Sequence, residues 1–149
     1  MGHGTRLLAT TGQRMKFPSD IDVYGDQTYR GKCATESMEQ VTFFARLRRD
    51  HPNSWGAIAF HPRNEGVRSA MKVRIEKAEG MVKGASDIII PGGPAFVCEL
   101  KRRDHTKSVW QDGQQEYLYA ARNAGAFVCI ALGYKAAEEA FGRYLAIYH

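Results

Sequence analysis

The stretch SDIIIPGGPAFVCELK, Ser86 to Lys101, reads as two short β-strands, 86–91 and 95–101, joined by the turn residues Gly92, Gly93 and Pro94. Asp87 lies just inside the first strand, and Glu99 and Lys101 lie two apart on the second, so the latter pair projects from one sheet face. Asp87 and Glu99 are 12 residues apart across a tight turn, a spacing that lets adjacent strands bring both carboxylates together. Two ionised carboxylates about 4 Å apart repel by about 4 kcal/mol at an effective dielectric near 20. A divalent cation reverses that sign, and hard oxygen ligands of this kind suit Mg²⁺ or Mn²⁺. Lys101 adds a point charge able to position an attacking water or stabilise negative charge developing on phosphorus. The same residues also admit a plainer reading, with Asp87 as a turn cap and Glu99 and Lys101 as an exposed pair on an edge strand. Against it, Glu99 sits among Phe96, Val97, Cys98 and Leu100, an awkward place for an idle charge.

Upstream, the pattern predicts a helix with Thr35 as N-cap, running through TESMEQVTFFARLRRD and stopping before Pro52. Gln40, Phe43, Phe44 and Leu47 form its apolar stripe, which Glu36 extends backwards by one turn. Glu39, Thr42, Arg46 and Arg49 form the opposite stripe, read as solvated. Residues 1–34 read as an irregular lead-in, with the main domain at 35–149. WGAIAFHP, Trp55 to Pro62, suggests a strand. Downstream, a helix is expected from Val109 to Ala124, with Gly125 at its C′ position, then a buried strand at 126–133 and a closing helix from Lys135 to Tyr148. No internal repeat interrupts this order, so one α/β domain with a mixed central sheet flanked by helices is the economical reading.

The chain has 149 residues, 44% hydrophobic and 25% charged, which fits one globular core. No stretch approaches the roughly 20 apolar residues that span a bilayer, and no apolar secretory block opens the sequence, so a soluble cytoplasmic protein with no membrane partner is expected. The three cysteines, Cys33, Cys98 and Cys129, have neither CxxC nor zinc spacing, which argues against disulfide frameworks and zinc ribbons. Lysine plus arginine total 21 against 16 acids. Distribution matters more than this sum: KRRDHTK at 101–107, RLRR at 46–49, and six basic residues from Arg63 to Lys83 flank the acidic hairpin and suggest a polyanionic partner. Ordinary solubilising surface is the alternative for any one of them.

The hairpin SDIII, turn, CELK resembles the metal-binding hairpin of PD-(D/E)XK nucleases, with Ser86 at the often variable proline position. The run GMVKGASDIIIPGGPAFVCELKRRDHTKSVWQDGQQEYLYAARNAGAFVCIALGYKAAEEAF is similar to the VRR-NUC (virus-type replication-repair nuclease) branch, and TESMEQ and FHPRNEG resemble parts of its small standalone phage or bacterial members. The resemblance runs from Thr35 to Phe141. It implies a PD-(D/E)XK restriction-endonuclease-like core and a divalent-metal-dependent DNA endonuclease, structure-selective in the manner of a Holliday junction resolvase and acting as a homodimer on four-way junctions. It also implies roles: Asp87 and Glu99 as ligands of Mg²⁺ or Mn²⁺, the Leu100 carbonyl as a further oxygen, Lys101 as the catalytic lysine, and Glu36, in preference to Glu39, as the first-helix glutamate that completes the metal site directly or through water. Gln114 matches the helix-opening glutamine, with Gln111 as fallback. Arg102, Arg103, Lys107, Asn64 and Lys83 are the DNA-contact candidates. The alternatives are a flap, end or duplex-specific nuclease, or a catalytically inert DNA-binding module of the same fold. His61 and His105 lie near the site in sequence but outside any metal-ligand pattern.

Overall fold

The computed structural model describes residues 13–63 and 69–149. In chain order the elements are β1 (Gln13–Arg14), β2 (Val23–Tyr24), α1 (Glu36–Asp50), α2 (Trp55–Ile58), α3 (Ala70–Ala78), β3 (Ile88–Ile90), β4 (Phe96–Lys101), a 3₁₀ turn (His105–Lys107), β5 (Val109–Trp110), α4 (Gln114–Asn123), β6 (Phe127–Leu132) and α5 (Tyr134–Tyr148). The central sheet has the order β2-β6-β4-β3. β3 and β4 form the expected antiparallel hairpin, whereas β4–β6 and β6–β2 are parallel. A parallel return needs a crossover, and α4 supplies the one from β4 to β6.

Period-two alternation sorts the sheet into two faces. Ile88, Ile90, Phe96, Cys98, Leu100 and Cys129 meet α1 and α5 through Phe43, Phe44, Leu47, Ala137, Phe141 and Tyr144. Val97, Ile130 and Leu132 turn the other way and meet Leu118 of α4 together with Trp110, Met15 and Ile21. Cys98 and Cys129 are fully buried packing residues. Among the described residues no helix is long and apolar enough to cross a membrane.

Three local expectations need correction. WGAIAFHP is not a strand: Trp55–Ile58 forms a short helix, and only Phe60 bridges to Ile89 at the sheet edge. Gly56 explains this, because its amide donates to the His51 carbonyl and a Cβ there would lie 2.6 Å from that oxygen, so the chain turns tightly against the end of α1. Residues 109–113 are not helical either. Val109 and Trp110 pair antiparallel with Arg14 and Gln13, and α4 starts only at Gln114, after Gly113 at φ +88°. Finally, Glu39 is not solvated: it is 7% exposed, and its Oε1 accepts the Tyr134 amide at the start of α5 at 3.0 Å.

Within the lead-in, β2 adds an edge to the sheet, Met15 and Ile21 enter the core, and the Trp110 indole donates to the Lys16 carbonyl at 2.9 Å. The other helical boundaries fall close to expectation. Thr35 Oγ1 accepts the Met38 amide at 3.2 Å, and Gly125 at φ +99° ends α4 with its amide on the Arg122 carbonyl.

Candidate active site

The register Ile88 to Cys98, extended by one step, sets Asp87 opposite Glu99. Both side chains leave the sheet on the α4 side, together with Lys101, because Ile88, Cys98 and Leu100 turn to the other. Glu99 is fully buried, and neither carboxylate oxygen has a hydrogen-bond partner. Burial and the facing Asp87 carboxylate push its pKa well above the ordinary value of 4.5, with Lys101 pulling the other way. Asp87 Oδ2 accepts the Leu100 amide at 2.9 Å, which fixes that carboxylate against β4. His61 Nδ1 donates to the Asp87 carbonyl at 2.9 Å, so this histidine braces the backbone of the pair.

Lys101 is 1% exposed, with its ammonium on the Val109 carbonyl at 2.9 Å and on Gln114 Oε1 at 2.9 Å. It lies 3.6 Å from Glu99 Oε2 and 5.0 Å from the centre of the Trp110 ring. The tight connection at 109–113 makes this possible, since it brings β5 and the first residue of α4 to the same ammonium. Gln114 Oε1 also takes the Gln111 amide at 2.9 Å, so the glutamine oxygen is spent on two donors and its NH₂ group is turned away from them. Gly84 and Gly113 touch backbone to backbone here, a Cβ at Gly84 falling 2.2 Å from the Gly113 carbonyl carbon.

Glu36 reaches the same region from α1. Its Oε2 accepts the Ser108 hydroxyl at 2.6 Å, and Ser108 Oγ in turn accepts the Arg102 amide at 3.0 Å. An ionised carboxylate can only accept, so Ser108 gives its one proton to Glu36 while a lone pair takes the Arg102 amide. Burial raises the Glu36 pKa, opposed by Lys101 and the Ser108 hydrogen bond and reinforced by Asp87. Ser108 has no sequence signal, since it meets Glu36 across 72 residues.

Asp87, Glu99, Lys101, Gln114 and Glu36 thus converge. Among the described residues no three of His, Cys, Asp and Glu gather as a ligand cluster. The buried Glu99 oxygens without donors, facing a second carboxylate, are hard oxygen donors that fit a small divalent cation. Lys101 accepts the Gly133 amide on its β6 side, so the Leu100 carbonyl, one residue earlier, faces the β3 side where Asp87 lies.

The DNA-contact candidates that the structure describes differ in their partners. Arg102 donates to the Cys33 and Ala34 carbonyls, Arg103 covers the Tyr29 ring at 3.8 Å, and Lys107 donates to the Gly31 carbonyl. Lys83 is 3.5 Å from Asp112, and Asn64 lies outside the described residues. A cavity of about 390 Å³ lined by Asp26, Cys33, Glu39, Arg103, Gly133 and Tyr134, among others, holds none of the converging catalytic candidates.

No protein-family model and no curated protein matches the sequence. Among solved structures, a protein described as "VRR_NUC domain protein" is similar at a TM-score of 0.60 and 18% identity, over 79% of this chain and 92% of that one. With its mixed four-stranded sheet flanked by helices, the chain has the VRR-NUC fold.

Proposed function

We propose that the chain is a divalent-metal-dependent DNA endonuclease, with Asp87, Glu99 and the Leu100 carbonyl holding Mg²⁺ or Mn²⁺. The observation that carries this reading is the fully buried Glu99 carboxylate, without a hydrogen-bond donor, opposite Asp87 and 3.6 Å from the Lys101 ammonium. Two facing carboxylates share the single Lys101 ammonium, and leaving the second buried charge uncompensated costs several kcal/mol unless a further cation binds. When bound, a divalent ion would offset both carboxylates, polarise the phosphoryl oxygens and acidify a water.

The chain's own residues account for the rest. Two acceptors and the Trp110 ring fix the Lys101 ammonium, so its charge meets the phosphorane without first reorganising. The Gln114 NH₂ group offers donors for a phosphate oxygen or a water. Glu36, with one oxygen held by Ser108, binds the attacking water with the other and gains proton affinity from burial. That water forms the new phosphorus–oxygen bond as the bond to the departing sugar oxygen breaks.

The resemblance seen in the sequence extends this reading to branched DNA cut by a homodimer, in which paired sites nick opposing strands of a two-fold junction. Junction, flap and duplex DNA incubated with Mg²⁺, Mn²⁺ or EDTA test the whole reading. Metal-dependent cleavage, abolished by Glu99→Ala, is expected. Equal absence of cleavage by wild type and variant on every substrate would end it. Light scattering that finds only a 16.7 kDa particle at micromolar concentration would remove the dimer.

A further inference from the structure

The KRRDHTK loop grips the end of the lead-in almost residue by residue. Arg102 holds the Cys33 and Ala34 carbonyls, Lys107 holds the Gly31 carbonyl at 2.8 Å, Asp104 accepts the Gly31 amide at 3.0 Å, and His105 donates to the Gln27 carbonyl at 3.1 Å. The strap 26–34 and the loop 102–107 therefore form one body, bracketed by site residues: the strap runs into Glu36, and the loop runs from Lys101 to Ser108.

This body carries five cations, Arg30, Lys32, Arg102, Arg103 and Lys107, against Asp26 and Asp104. Both carboxylates are already occupied, Asp26 by the Thr28 amide and hydroxyl, and Asp104 by the Gly31 amide and both Thr106 donors. Among the described residues none of the five cations lies within ion-pair distance of a carboxylate. Arg30, Arg102 and Lys107 donate to neutral carbonyls, and Arg103 covers the Tyr29 ring. Arg102 uses only two of its five donors on the strap, and Arg30 and Lys32 are exposed. Positive charge fixed by neutral partners on an ordered ledge meets a chain of phosphates at little entropic cost.

We infer that the strap and the loop make a single phosphate-binding shelf at the mouth of the site, on which Arg30 and Lys32 grip the sugar-phosphate backbone of the DNA strand being cut, whatever its sequence. The inference rests on the nuclease reading and adds two contacts from the lead-in, a segment that the hairpin chemistry leaves without a role.

The test compares wild type, Arg30→Ala/Lys32→Ala, and a control of equal charge loss at exposed helix positions outside the basic clusters, Arg122→Ala/Arg143→Ala. Binding of fluorescent DNA is titrated in Ca²⁺ over a range of salt, and cleavage is measured in Mg²⁺ and Mn²⁺. Loss of two phosphate contacts flattens the plot of log Kd against log salt by about 1.4 to 1.8. The control leaves the slope within error, and Arg30→Lys/Lys32→Arg restores it. A strap variant with the wild-type slope, while wild type still cleaves, overturns the shelf and leaves the nuclease reading standing. A slope lost equally in the control also overturns it, because the effect is then net charge alone. If wild type neither binds nor cleaves, the nuclease reading fails and the shelf with it.

Discussion

β4 has two halves that are equally buried and chemically opposite. Phe96, Val97 and Cys98 are apolar on both faces, whereas Glu99 and Lys101, separated only by Leu100, place a carboxylate and an ammonium in the same dry layer. Burial stabilises the first half by the hydrophobic effect and penalises the second. The ions are tolerated because the first half, continued into β3 and β6, fixes a ladder that the second half can lean on. Stability and chemistry are thus neighbours on one strand, and substitutions should separate them.

Phe96→Ala should have the largest effect. Phe96 is fully buried and stacks on Phe127 with edge contacts to Phe141 and Tyr144, so truncation should cost about 3–5 kcal/mol in denaturant unfolding. Cleavage per folded molecule should change far less than stability does. Glu99→Gln should do the reverse. Cleavage should fall about 10²–10³-fold, while the metal-free protein gains stability. The pH dependence has a definite sign. The folded Glu99 holds its proton above the ordinary value of 4.5, so metal-free wild type loses stability as pH rises beyond that value, and Glu99→Gln flattens the decline. A variant as pH-sensitive as wild type would show that Glu99 is not the group responsible.

Ser108→Ala sharpens the contrast at the next level down. Loss of the hydroxyl on Glu36 should lower kcat about tenfold, the equivalent of about 1.4 kcal/mol, with Ser108→Thr recovering much of it. A change in KM alone would mean that Ser108 serves substrate binding and does not position Glu36. The smallest effect belongs to Asp104, whose carboxyl is held at about 2 by its Thr106 and Gly31 donors. Its contribution is complete above the ordinary value of 3.8 and is lost as pH falls towards 2. Asp104→Asn should flatten that acid limb in a thermal melt series.

The hairpin was readable from sequence because its information is local: two strands, one turn, and a period of two that assigns every side chain to a face. The Thr35 cap, the Gly125 stop and the β6 strand were readable for the same reason. The helical stripe that carries Glu36 turns inward, where its carboxylate meets Ser108, but the opposite stripe was misread at Glu39, because helical periodicity knows nothing of the free amide at Tyr134, 95 residues away. Trp55–Ile58 and Val109–Trp110 were misread because short apolar runs suit either structure, and distant partners decided both. The basic residues were recognised as a cluster, but their grip on the strap rests on contacts spanning about 70 residues.

The contact between Gly84 and Gly113 has a consequence for how damage travels. Gly84 belongs to a connection with no reacting group of its own, yet any side chain there would drive its backbone into that of Gly113 and the Gln114 amide. Gln114 supplies one of the two oxygens that anchor the Lys101 ammonium, so a methyl group added at residue 84 would arrive at the lysine as a lost acceptor. An inactivating lesion can thus originate in a loop that an inventory of catalytic groups would pass over.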